Sequence, residues 1–188
     1  MLAIALYFDE NSLKNLKKDS DQILSSCVTS KNNSYLIAPS LHLTLFAGIE
    51  DKYAEEIKKI FNSTQFSKIN VENNGIGIFI NKKIVFHFRW KHSFNLVEYR
   101  KMVYKFFNDF IEYNALNGYG RDDWIAKTTL FTTSKVDTEF CKSLKNSFKL
   151  NQLNIFECNK LIVIKYKDSK EDIIYTKQLT NENEKSKI

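Results

Sequence analysis

Two five-residue segments constrain this chain more than any other feature. Residues 42–46 read His-Leu-Thr-Leu-Phe, and residues 127–131 read Lys-Thr-Thr-Leu-Phe. They begin 85 positions apart. Each lies in a segment that reads as a strand, and each is followed within a few residues by a helical pattern. An echo of this kind predicts a duplicated βα unit and a pseudo-two-fold molecule. Successive strand residues point to opposite faces, so the first and third positions of each copy share a face. That places His42 beside Thr44 and Lys127 beside Thr129. If the two strands face each other across a groove, four polar side chains converge in it.

The remaining pattern fits this frame. With 188 residues the chain makes one domain, or two small lobes sharing an interface. Residues 2–8 read as a strand buried on both faces. Asn11 or Ser12 then stands where a helix cap belongs, with a helix running to about Ser26 on a stripe of Leu13, Leu16, Ile23 and Leu24. Strands are expected at 35–38 and 41–47 around Pro39-Ser40, and a helix at 50–62. Phe66–Ile80 and Ile84–Trp90 form a hairpin turning at 81–83. Residues 94–113 form the longest helix, with Phe94, Val97, Met102, Phe106 and Phe110 facing inward. Residues 114–123 are a loop, followed by a strand at 124–132, a helix at 136–149, and strands at 152–166 and 172–179. Strands mixed with a few helices and no linker predict an α+β fold. The expected architecture is bilobal, with two mainly antiparallel sheets facing a central cleft and helices outside. Residues 1–179 form the domain; residues 180–188 are a polar tail expected to be disordered.

Composition narrows the function. Lys and Arg number 28 against 22 Asp and Glu, a net charge of +6. This suits a polyanionic ligand such as a nucleotide or RNA, and equally a solvated lysine-rich surface. No apolar run approaches the roughly 20 residues of a membrane helix. The apolar start lacks a preceding basic segment and ends at Asp9 and Glu10, so it reads as a strand rather than a signal peptide. Cys27, Cys141 and Cys158 are odd in number and have no metal-ligand spacing. They are expected to be free thiols in a reducing compartment, here the cytoplasm. There is no P-loop, HExxH, GxSxG or acidic metal cluster.

The four converging residues suit phosphate chemistry. An imidazole moves protons near neutral pH. A hydroxyl can bond a phosphoryl oxygen, and an ammonium can neutralise its charge. At these positions the chain resembles the 2H phosphoesterase superfamily, particularly its bacterial 2′-5′ RNA ligase family, whose signature is one His-x-Thr/Ser motif in each half. Pro39-Ser40-Leu41-His42-Leu43-Thr44-Leu45 matches the first motif, and Trp124-Ile125-Ala126-Lys127-Thr128-Thr129-Leu130 the second. The opening strand Ala3–Asp9 and the pair Gly75–Phe79 with Ile84–Phe88 also resemble the family. The likeness spans about residues 1–178. It implies metal-independent cleavage of 2′,3′-cyclic phosphates, 2′-5′ oligonucleotides or related cyclic esters, with no cofactor. One histidine acts as base and the other as acid, and the threonines hold the phosphate.

The second motif departs from the family, with Lys127 for its histidine and Ala126 for its proline. An unperturbed lysine would need a fall of about 3 pKa units, roughly 4 kcal/mol, to act as a base at neutral pH. A bound phosphate pushes the other way. Lys127 therefore reads as a protonated phosphate clamp or a poor general acid. Losing one of two proton-transfer partners costs about 10²–10⁴ in rate. The expectations are slow catalysis with His42 as acid/base, a shifted substrate, or a degenerate fold that binds a nucleotide or RNA end without turnover. Secondary candidates are Tyr35 at the cleft rim as a base stacker, and His87 as a substitute acid. Arg89 and Arg121 are candidate phosphate contacts, and Trp124 lies beside the cleft. The expected partner is a small nucleotide or RNA terminus, with no membrane and a monomer favoured.

Overall fold

The computed structural model describes residues 1–27, 35–80, 83–110, 124–133, 155–167 and 170–181. Its elements run β1 (Leu2–Phe8), α1 (Glu10–Cys27), β2 (Tyr35–Ile37), β3 (His42–Ile49), α2 (Ala54–Ser63), β4 (Ile69–Ile80) and β5 (Ile84–Trp90). They continue with α3 (Phe94–Phe107), β6 (Lys127–Thr133), β7 (Ile155–Lys167) and β8 (Lys170–Gln178). One-turn 3₁₀ segments lead into α2 and follow α3. The expected loop at 114–123 and helix at 136–149 lie outside the described residues. So does the tail beyond residue 181.

The fold is α+β, and every pairing between the named strands is antiparallel. The strand order is β2-β6-β5-β4-β7-β1-β3, with β8 also paired to β7. The two expected sheets are thus halves of one path joined through β4. Residues Ile69–Glu72 of β4 pair with β7, whereas Asn73–Ile80 pair with β5. The change of partner coincides with an irregularity between Asn73 and Ile76. There Gly75 adopts φ 86°, and its N–H donates to Asn73 Oδ1 at 2.7 Å. A left-handed residue in mid-strand bends the strand, and glycine adopts it without a Cβ penalty.

β1 is buried almost throughout, as its continuous apolar run demands. It lies between β3 and β7, with Tyr7 opposite both His42 and Lys160. On one side of the half-sheets the main core gathers Leu6, Phe8, Leu16, Phe46, Phe61, Trp90, Val103, Phe107 and Phe156. Phe8 lies 5.2 Å from Trp90, and Trp90 packs edge-on to Phe156 at 5.5 Å. Such aromatic pairs contribute about 0.5–1.5 kcal/mol each beyond area burial. On the other side a small cluster of Ala5, Ile162 and Ile164 carries Tyr7 and Tyr166.

Two local expectations are corrected. Asp9, rather than Asn11 or Ser12, caps α1: its Oδ1 accepts from Ser12 N–H at 2.8 Å. The Ser12 hydroxyl instead accepts from Glu157 N–H at 2.9 Å, fastening α1 to β7. In α3 the buried stripe is Leu96, Tyr99, Val103 and Phe107, while Phe94 is 78% exposed and Phe106 41%. Both stripes have helical spacing. Ser93, which accepts from Leu96 N–H at 3.3 Å, starts the helix with Leu96 turned inward.

Candidate active site

The two echoed segments occupy β3 and β6, and these strands come into contact. Side chains close the outer edge of β3. Trp124 Nε1–H donates to the Thr44 carbonyl at 3.0 Å, and Arg100 Nε–H to the Leu45 carbonyl at 3.2 Å. Two carbonyls of this end strand are thus occupied by side chains. Seven of the eight residues of β3 are buried, His42 and Thr44 among them at 7% exposure each.

His42 is held at both ring nitrogens. Nδ1 lies 3.0 Å from Ser40 Oγ, and Nε2 lies 3.4 Å from Tyr166 Oη. Ser40 Oγ–H donates in turn to Glu171 Oε2 at 3.1 Å. Tyr166 and Glu171 face each other across the β7–β8 ladder. Burial pushes the His42 pKa down to about 4, the charge of Lys127 adds to the fall, and the Ser40 backbone opposes it. His42 is therefore a neutral imidazole at pH 7. Burial also raises the Tyr166 pKa, with Glu171 contributing, so its phenol stays protonated.

Lys127 and Thr129 share the inward face of β6. Lys127 Nζ donates to Thr129 Oγ1 at 3.0 Å. An ammonium is donor-only, so the threonine must accept, and its own proton stays available for another acceptor. Burial pulls the Lys127 pKa down to about 8, with Glu171 opposing. This corrects the unperturbed value assumed for Lys127: the strand removes most of the expected gap to neutrality. The group remains mainly an ammonium at pH 7, yet holds its proton far less tightly than a surface lysine.

The neighbouring strand supplies more. His87 pairs with Thr129 and Arg89 with Lys127 across the β5–β6 ladder. The His87 ring stacks on Phe79 at 4.6 Å, and Lys127 Nζ lies 5.7 Å from the Phe79 centroid. His87 is 3% exposed, and its Nδ1 has no hydrogen-bond partner among the described residues. Burial first and Lys127 second push its pKa to about 4. Gly77 lies opposite His87, and a Cβ there would overlap the imidazole.

The structure thus brings together His42, Thr44, Lys127, Thr129, His87 and Arg89. Tyr35 lies elsewhere, opposite Thr133 on the far side of an irregularity in β6 that changes which residues face the groove. Trp124 joins the halves: its ring stacks on His92 at 5.0 Å and lies 4.9 Å from the Arg100 guanidinium. Arg121 is outside the described residues. Sequence reasoning did not single out Ser40, Gly77, Phe79, Tyr166 or Glu171. A glycine inside a strand is a signal of close approach that could have pointed to Gly77. Nothing local pointed to Tyr166 or Glu171, which lie 124 and 131 residues from their partners. Among the described residues no group of three or more His, Cys, Asp or Glu could hold a metal ion.

No family model and no curated protein matches the chain in sequence. Solved structures do match its fold over nearly the full length. TT0787 of Thermus thermophilus aligns at a TM-score of 0.62 with 11% identity, covering 96% of this chain and 98% of its own. E. coli LigT complexed with 3′-AMP aligns at 0.54 with 9% identity, covering 96% and 98%. Kluyveromyces marxianus Usb1 aligns at 0.51 with 11% identity, covering 95% and 96%. With its two motif strands in contact and its half-sheets joined through β4, the chain has the fold of the 2H phosphoesterases.

Proposed function

We propose that this protein hydrolyses a small RNA-derived phosphodiester: a 2′,3′-cyclic phosphate, a 2′-5′-linked oligonucleotide or a related cyclic nucleotide. His42 Nε2 takes the proton from the attacking water as the new P–O bond forms. Lys127 gives its proton to the departing oxygen as the old P–O bond breaks. Thr44 and Thr129 bind the non-bridging oxygens. The cycle leaves His42 charged and Lys127 neutral, and proton exchange with solvent restores both. The observation that carries this reading is the pairing of a neutral imidazole, pKa about 4, with an ammonium of pKa about 8, each beside a threonine. At neutral pH one is unprotonated and the other protonated, the states from which a base and an acid start. The likeness in fold to LigT, solved in complexes with 3′-AMP, ATP and phosphate, supports a nucleotide ligand.

The test is release of phosphomonoester from 2′,3′-cyclic, 3′,5′-cyclic and 2′-5′-linked nucleotides with a chelator present. Wild type should exceed His42→Ala by about 10²–10⁴ on at least one substrate. No product above that control across the panel overturns the reading. Lys127 favours one alternative, a module that captures a nucleotide or RNA end without cleaving it, because a bound phosphate strengthens the ammonium. In that case calorimetry with 3′-AMP shows binding, Lys127→Ala weakens it, and no substrate turns over.

A further inference from the structure

We propose that Glu171 is a positioning residue that acts through Ser40 to hold His42 in its Nδ1-protonated tautomer, leaving Nε2 as the unprotonated nitrogen. The argument is a count of protons. A neutral imidazole carries one N–H, on either nitrogen, and a serine hydroxyl carries one O–H. A carboxylate only accepts. Ser40 Oγ lies 3.1 Å from Glu171 Oε2, so the serine proton belongs to that bond. The same oxygen lies 3.0 Å from His42 Nδ1 and has no second proton to offer, so Nδ1 must be the donor. Nε2 is then unprotonated and accepts from Tyr166 Oη–H at 3.4 Å. The phenol can donate or accept, so its direction follows from the tautomer that Ser40 and Glu171 set.

The carboxylate form of Glu171 is the condition for this arrangement. Burial raises its pKa above the ordinary value, while the Ser40 bond and the charge of Lys127 oppose that rise. The groups around His42 come from separate elements: Ser40 precedes β3, Tyr166 ends β7, Glu171 opens β8, and Lys127 opens β6. A histidine that must accept a proton at one defined nitrogen gains from losing its tautomeric freedom. The same residue type at the end of a flexible contact would divide its population between two forms, one of them unable to act as base in the groove.

The use of Nε2 as a base rests on the function proposed above, but the tautomer does not, so the two are tested separately. The chain has three histidines, which His42→Gln and His87→Gln assign in long-range ¹H–¹⁵N spectra at pH 7. Wild-type His42 is expected as the Nδ1–H form. Ser40→Ala and Glu171→Ala should each shift the tautomer ratio at least threefold toward Nε2–H, the form commoner in water. Glu171→Gln, whose amide oxygen can accept the same bond, should restore most of the wild-type ratio. A wild-type His42 found as Nε2–H, or a ratio unmoved in both alanine variants, overturns the proposal. If Glu171→Ala fails to fold, the wild-type and Ser40→Ala spectra decide alone. With 2′,3′-cyclic CMP as substrate, Glu171→Ala should lower kcat about tenfold with KM within twofold. If His42 shows the expected tautomer but the wild type cleaves nothing in the panel, the positioning stands and the hydrolytic reading falls.

Discussion

β3 and β6 carry the same sequence echo but present it to different surroundings. β3 ends the strand path, Trp124 and Arg100 bond two of its carbonyls, and it is buried along nearly its whole length. β6 lies between β2 and β5, and its Lys127 and Thr129 are partly buried on the inward face. β3 holds an imidazole that does not charge until about pH 4, and β6 an ammonium that persists to about pH 8, burial lowering both. Two equal histidines could exchange acid and base roles. On the proposed reading the strands divide them: β3 receives a proton and β6 supplies one. The comparison teaches that a duplicated fold can place four residues symmetrically while the exchange of one residue type, histidine for lysine, makes them chemically unlike.

The harshest test removes the imidazole on β3. His42→Gln keeps the approximate shape but loses the base, and turnover of any accepted substrate should fall by about 10²–10⁴. Thr44→Val and Thr129→Val, one on each strand, should cost roughly tenfold apiece. A His42→Gln variant within threefold of wild type would break the division of roles, because no other group on β3 could take the proton.

The strand pattern that frames this comparison was legible in the sequence because β1 and β3 are short, nearly continuous apolar runs and β5 mixes apolar with polar residues. His42, Thr44 and Thr129 followed from the echoed segments and the two-residue period of a strand. The buried face of α3 did not, since its fourteen residues include apolar or aromatic side chains all round the helix, and two stripes compete on spacing. The continuity of the half-sheets through β4 was also hidden. It depends on a strand changing partners at Asn73, and pairing is decided by distant segments. The partners of His42 escaped for the same reason: Tyr166 and Glu171 act from the far end of the chain. The lowered pKa of Lys127 comes from packing, which residue type does not reveal.

The next test sharpens the contrast in burial. His42 and His87 both fall from 6.5 to about 4 in the folded chain. An unfolded histidine takes up its proton near pH 6.5, so between there and pH 4 the unfolded state binds more protons. Stability therefore rises with pH across that window and is lost on acidification. The shift is worth on the order of 3 kcal/mol for each ring. Urea midpoints should drop steeply from pH 6.5 to 4, and His87→Gln should remove about half of the dependence. A flat profile would mean that neither ring is dry.

Lys127→His then makes the two strands chemically alike. In the wild type the rate requires neutral His42 and charged Lys127, so it should rise through about pH 4 and fall through about pH 8. In the variant the acid is an imidazolium of ordinary pKa about 6.5, which burial lowers further. The alkaline limb should move down by at least about 1.5 units while the acid limb stays within a unit of its place. An alkaline limb that remains near pH 8 would show that Lys127 is not the proton donor.

The smallest expected effect lies on β4, where two glycines serve the β6 side of the groove for different reasons. Gly75 is needed for its conformation: its φ is positive, and a Cβ there would meet nothing within 4 Å. Gly77 is needed for space, because a Cβ there would overlap the His87 imidazole, which lies opposite Thr129. Gly75→Ala should cost about 1–2 kcal/mol from the left-handed backbone alone. Gly75→Asn should recover part of that, since asparagine tolerates this region. Gly77→Ala should cost about 1–3 kcal/mol through overpacking. The two causes separate in a His87→Ala background, where the Gly77→Ala penalty should nearly vanish and the Gly75→Ala penalty should remain. Sites in contact couple in this way, whereas independent ones add. An unchanged Gly77→Ala penalty in that background would mean that His87 is not seated against β4, and the ordered wall beside Thr129 would have to be built from something else.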